Sequence, residues 1–294
     1  MVRFTYTAIT PSTQQETKLY ELTFAEYKQL LKLILNDNNT YIVSAFNDVI
    51  NNLCCDKQYN LTFLDKIVLL LTIRSVCIFP TLELTFTQPG NKQGYNLTFE
   101  ISEIVKRIND SSLFKTFNNN TITYENFEVT YGIPSELFYT SEEDLIYSTL
   151  KEIKFKNKNK TYDNVTEFKK DIFDKLPAFI LKDAKEHVKQ VEEEISKLTL
   201  LSVKTPQEQA GIVITPSIFS NSSLEFLKLC YKRDLISMYE LEYFLLSKLK
   251  LSHEVVMNST YAELMTYIGF YNEEKARQEK AEQKQFTNPL AASR

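Results

Sequence analysis

Leu61–Phe86, LTFLDKIVLLLTIRSVCIFPTLELTF, decides the fold. Thr62 is a good helix N-cap, and Asp65 three residues on can answer the exposed amides of the first turn. Ile67, Val68, Leu69, Leu70, Leu71 and Ile73 follow, interrupted only by Thr72. Such a helix is apolar on every side, so it belongs inside a core rather than on its surface. Pro80 ends it, and Leu82, Leu84 and Phe86 then alternate with Glu83 and Thr85 as in a half-buried strand. The run is shorter than the roughly 20 apolar residues a membrane span needs. Arg74 is the only charge between Lys66 and Glu83. A buried arginine is expected to have an acidic partner, because an unpaired buried charge costs several kcal/mol (order of magnitude). Asp65 is too far along the helix, about 13 Å, so the partner must come from elsewhere.

Upstream, residues 1–17 suit an edge strand or extended arm, and Lys18–Leu22 a short strand. Thr23 and Glu26 form a capping box before the stripe Phe24, Tyr27, Leu30, Leu31, Ile34 and Leu35. A second amphipathic helix carries Ile42, Val43, Phe46, Val49, Ile50 and Leu53. These two helices are expected to cover the third. Downstream, Leu82–Phe86 pairs with Tyr95–Ile101 as a hairpin, and Glu103–Ile108 makes a helical turn. Asp110–Asn120 reads as irregular. Short strands follow at Ile122–Tyr124 and Phe127–Tyr131, then a helix capped by Ser141 and a hairpin over Ile153–Tyr162 with a Lys/Asn tip.

The second half reads as helical. Thr166 caps a helix towards Leu176, and Pro177 opens the next. That helix places Ala184, Val188, Val191, Ile195 and Leu198 on one stripe, which must pack on its own domain or on a partner helix. Thr199–Ser220 is a connecting segment with a short strand at Ile212–Ile214. Helices follow after Ser223, after a Ser237/Glu240 capping box, at His253–Met257, and after a Thr260/Glu263 box. From Asn272 the chain is charged on all sides, a solvated helical extension or a tail that orders on a partner. The fold class is α+β: an N-terminal helical cluster with a small antiparallel sheet over 1–110, a β-rich unit over 111–165, a helical region over 166–271 and a charged tail over 272–294. Asp65, Leu70, Arg74, Val188, Val191 and Ile195 are the candidate structural or interaction residues.

No reaction chemistry is visible. There is no phosphate-cradling glycine motif, no nucleophile elbow and no HExxH. Cys54, Cys55, Cys77 and Cys230 lack metal spacing and read as reduced thiols. His187, among Lys185, Glu186 and Lys189, reads as a surface residue, and His253 as a local structural one. Glu142, Glu143 and Asp144 read as charges at the positive end of a helix rather than as a catalytic group. No catalytic, cofactor or metal residue is expected. A net charge of −4 disfavours a general polyanion binder, and Glu240, Glu242, Glu254 and Glu263 would repel DNA from the closing helices. The N-terminus lacks the apolar core of a signal peptide.

Four stretches in order, KLYELTFAEYKQLL, YIVSAFNDVINNLCCD, the decisive helix–strand, and MYELEYFLLSKLKLSHEVVMNSTYAELMTYI, resemble the baseplate hub and hub-assembly proteins of T-even-type contractile-tailed bacteriophages. The family's Arg-x-x-Ser after the leucine-rich helix is Arg74-Ser75 here, a departure in spacing, and the CxxC pair of some relatives is missing. The resemblance implies a non-enzymatic part of a viral tail that helps build the central hub. It implies no cofactor. Its expected partners are other hub proteins (spike, tube or tape-measure components), with neither nucleic acid nor membrane. Its expected place is the host bacterial cytoplasm during assembly, or the tail baseplate of the virion. The alternatives are a helical adaptor that binds a partner helix and a carboxylate-dependent hydrolase.

Overall fold

The computed structural model describes residues 3–36, 38–56, 60–87, 94–156, 160–162, 177–198, 200–204, 209–213 and 222–287. It is an α+β fold. At its centre is the decisive helix, α3 (Phe63–Cys77), with α1 (Phe24–Ile34) and α2 (Asn39–Leu53) before it. Eleven of the fifteen residues of α3 are buried, Asp65, Leu70 and Arg74 among them. Its cap is the expected box: Asp65 N–H donates to Thr62 Oγ1 at 3.2 Å, and Thr62 N–H donates to Asp65 Oδ2 at 2.8 Å. The box at Thr23 and Glu26 is present too.

The N-terminal arm is a hairpin of β1 (Thr5–Thr10) and β2 (Gln15–Tyr20). Gln14 turns it with a φ of 56°. Its turn is tied to α3, because Ser12 N–H donates to Asp65 Oδ1 at 2.9 Å. The strands β3 (Thr81–Thr87) and β4 (Gly94–Glu100) form the expected antiparallel hairpin, with Leu82 facing Phe99. The expected helical turn is a two-turn helix, α4 (Ile101–Asn109), whose Ile101, Ile104 and Ile108 are buried against α3. The segment read as irregular contains α5 (Leu113–Phe117), with Leu113 and Phe114 buried.

Strands β5 (Asn120–Thr123), β6 (Phe127–Tyr131), β7 (Leu150–Phe155) and β8 (Lys160–Tyr162) form an antiparallel sheet in chain order, with α6 (Glu142–Thr149) between the second and third. Ser141 caps α6 through Asp144 N–H at 3.1 Å. The helix expected from Thr166 to Leu176 lies outside the described residues, as does the tip of the Lys/Asn hairpin. The helix α7 (Ala178–Leu198) follows, then a hairpin of β9 (Leu200–Lys204) and β10 (Gln209–Val213) in the segment read as mostly connecting.

The closing helices are α8 (Ser222–Tyr231), α9 (Leu235–Ser247), α10 (His253–Asn258) and α11 (Tyr261–Thr287). The box at Thr260 and Glu263 forms, with Thr260 N–H donating to Glu263 Oε2 at 2.8 Å. The box at Ser237 and Glu240 does not. Asp234 caps α9 one turn earlier, accepting from the amides of Ile236 and Ser237. From Asn272 to Glu282 every described side chain of α11 is exposed, and pairs one turn apart such as Lys275 with Glu279 lace its surface.

Two buried clusters result among the described residues. The larger runs from Ala8 to Leu264 and includes α3, with α8, α9 and α11 contributing beside the N-terminal elements. Covering α3 are α2, β1, α4, α8 and α11; of the two helices expected to cover it, α1 packs mainly on α2, α9 and α10 instead. The smaller cluster lies between the four-stranded sheet, α6 and the start of α7. Helix α7 serves both: Ile180 and Ala184 are in the smaller, and Val188, Val191 and Ile195 in the larger. The stripe therefore packs within its own chain.

Candidate functional site

Arg74 sits in the last turn of α3, where a cation suits the negative end of the helix. It is buried, at 6% exposure. No carboxylate pairs with it among the described residues, contrary to the expected acidic partner. Two carbonyls hold it instead: Nε donates to Cys230 O at 2.8 Å, and Nη1 donates to Phe79 O. A charged donor to two oriented carbonyl dipoles replaces part of the lost hydration without a counter-ion. Burial lowers its pKa, and the charge of Arg233 adds to that push.

The neighbourhood is tied by tyrosines. Tyr231 Oη donates to Leu70 O at 2.5 Å, and Tyr27 Oη donates to Tyr231 O at 2.9 Å. Burial raises the Tyr27 pKa to about 12, although both Arg233 and Arg74 pull it down. Phe46 meets the Tyr231 ring edge-on at 5.5 Å. These bonds join α1, α3 and α8 across more than 150 residues of chain.

Outside this knot is a cleft of about 590 Å³ between β3 and the α8–α9 junction. Arg74, Lys232, Arg233, Glu83 and Asp234 supply charge to its lining, with Phe79 and Leu229 as apolar wall. Arg233 sits beside two aromatic rings, its guanidinium 5.4 Å from the Phe79 ring centre and 5.0 Å from that of Tyr261. Sequence reading missed Arg233. Its signal, a Lys-Arg pair between two helices, is weak by itself.

The other sequence candidates lie apart. Asp65 is at the opposite end of α3, fully buried and engaged by Thr62 and Ser12. Leu70 is at the helix centre with no exposure. Val188, Val191 and Ile195 are core residues on α7.

His187 is a correction. It is 3% exposed rather than on the surface. Its Nε2 donates to Gly132 O at 3.2 Å, and Nδ1 is enclosed without a partner. Phe117 and Tyr131 flank the ring at 5.8 and 5.6 Å. Burial, with Lys151 nearby, pushes its pKa down, and the bond to Gly132 works the other way. Next to it, Tyr124 Oη donates to Asp183 Oδ2 at 2.5 Å, and burial with that bond raises the Tyr124 pKa to about 12. His253 is exposed, 3.8 Å from Glu242, which also pairs with Lys28.

Apolar side chains also stand in the open. Helix α9 is mostly apolar, broken by Glu240 and Glu242, yet only Met238 and Leu245 are fully buried. Ile236, Tyr239 and Tyr243, at helical spacing, are 68%, 45% and 70% exposed. Phe270 on α11 is 63% exposed. No group of three potential metal ligands occurs among the described residues. No helix among them is long and apolar enough to cross a membrane.

No curated protein and no solved structure matches the chain. A family model described as T4 bacteriophage base plate protein matches residues 1–209, which takes in α1 to α7 and ends before the second wall of the cleft. That span is more than half of the 294 residues, and on it the chain belongs to the T4 bacteriophage base plate protein family.

Proposed function

We propose that the chain is a non-catalytic building part of the central hub of a phage tail baseplate, acting through contacts with other hub proteins. The observation that carries this is the family membership over residues 1–209. The surface supports it: α9 leaves Ile236 and Tyr243 largely uncovered, as a part made to be covered by neighbours does. The titratable groups fit the same reading. Asp65 is spent on a cap, Arg74 on two carbonyls and Asp183 on Tyr124. None of these three converges with a nucleophile on open space among the described residues.

The test is mass spectrometry of purified virions together with a pull-down of the tagged chain from infected cells. Recovery of spike, tube or tape-measure components is the expected result. The chain in finished tails means a resident subunit, and in assembly intermediates alone a transient assembly factor. Recovery of host proteins without any tail component would overturn the hub reading and leave a general helical adaptor.

A further inference from the structure

The cleft beside Arg74 has more cation than the chain itself answers. Arg74, Lys232 and Arg233 line it, against the carboxylates of Glu83 and Asp234. Asp234 is occupied as the cap of α9, bonded to the amides of Ile236 and Ser237 and to the Ser237 hydroxyl at 2.8 Å. Glu83 is exposed on β3 and forms no ion pair among the described residues. Arg74 spends Nε and Nη1 on carbonyls, which leaves Nη2 for the cleft. Arg233 lies against Phe79 and Tyr261, its guanidinium 5.4 and 5.0 Å from their ring centres. A planar guanidinium is suited to donating two parallel hydrogen bonds to a carboxylate.

We propose that this cleft receives an acidic polypeptide segment of a neighbouring baseplate protein, with its carboxylates on Arg233 and Arg74 and its aliphatic stems on Phe79 and Leu229. This rests on the baseplate reading above. The volume, about 590 Å³, suits a few side chains. The wall is part apolar, which a polypeptide can use and a free inorganic anion cannot. A nucleic acid would meet a chain of net charge −4, with Glu240 and Glu242 exposed or half-exposed on the adjoining helix. An incoming carboxylate also relieves the unfavourable burial of Arg74 and its repulsion from Arg233.

The experiment titrates the full chain with acetylated hexaglutamate by calorimetry. Parallel titrations use inorganic phosphate and a single-stranded oligonucleotide. Arg233→Gln is the main variant, since Arg233 is half-buried and removing its charge deletes no apolar core side chain. Arg233→Lys keeps the charge and loses the fork, and Lys280→Gln on the projecting part of α11 is the control. Arg233→Gln is expected to weaken hexaglutamate binding by about tenfold or more. The Lys variant should fall between, the control should bind as wild type, and the melting temperature should hold. Unchanged affinity in Arg233→Gln, or no binding to wild type at millimolar peptide, overturns the proposal. So does phosphate or oligonucleotide binding as tight as the peptide. Failure here and failure of the baseplate reading are separable. Tails that contain the chain and assemble normally with Arg233→Gln sink the cleft alone. Its absence from tails and their intermediates sinks the baseplate reading, and the peptide titration still decides the cleft.

Discussion

Replacing Leu70 by alanine tests whether α3 is the centre of the molecule. Leu70 has no exposure, and its own carbonyl receives the Tyr231 hydroxyl. Truncation removes the transfer energy of the lost carbons and leaves a cavity, at a cost of about 2–5 kcal/mol in well-packed cores. The spread depends on whether neighbours can collapse inward. Here α3 is walled by α2, α4, α8 and β1, and the Tyr231 bond fixes the backbone beside the gap. The expected loss is therefore in the upper half, about 3–5 kcal/mol. At about 2–4 °C per kcal/mol for a chain of this size, the melting temperature should fall by about 6–20 °C. Urea unfolding followed by circular dichroism gives the free energy directly, with the slope expected to stay constant. Thr72→Ala is the internal comparison. Thr72 is half-buried and its hydroxyl bonds Val68 O at 2.8 Å, so its loss should cost under about 1 kcal/mol. Leu70→Asp puts a carboxylate in the same place and should abolish soluble expression. A Leu70→Ala loss below about 1 kcal/mol, or one equal to that of Thr72→Ala, would refute the central position of α3.

Asp65→Ala removes the acceptor for Thr62 N–H and for Ser12 N–H, and should cost about 1–3 kcal/mol, measured in the same urea titration. Amide exchange should also rise in the β1–β2 turn, since Ser12 loses its partner 53 residues away. His187 binds its proton less well folded than unfolded, so the unfolded state takes up protons first as pH falls. Stability should decline as pH drops through the ordinary histidine range and level off below the folded pKa; His187→Phe should flatten that part of the curve in pH-dependent melts. Deleting 272–294 should leave the melting temperature nearly unchanged, because the described side chains from Asn272 to Glu282 are exposed, while pull-down of tail partners weakens. A large drop would mean that this segment packs on the body.

What could be read from the sequence was local. The boxes at Thr23, Thr62 and Thr260 need only residues three apart, and α3 needs only a run of apolar side chains. Errors arose where the deciding partner was distant or where two local signals competed. Asp234 and Ser237 are both good caps, and the earlier one prevails, its carboxylate taking the amides of both Ile236 and Ser237. Arg74 is held by a carbonyl 156 residues away, which no spacing announces. The charged neighbours of His187 along the chain suggest a surface position. Its helical neighbours told otherwise: it lies three residues after Ala184 and four before Val191, on the apolar stripe itself. Leu113, Phe114 and Phe117 carried a similar short signal inside a segment that looked polar.

Helix α7 lies in both cores, and that has a mechanical meaning. Its 21 residues make a rod of about 31 Å, rooted at one end beneath the four-stranded sheet and at the other among the central helices. A pull on the sheet cannot be absorbed by a soft joint along that rod. It travels down the helix as a shear on Val188, Val191 and Ile195, and from there to the elements around α3. The sheet and the helical body therefore bear load as one piece.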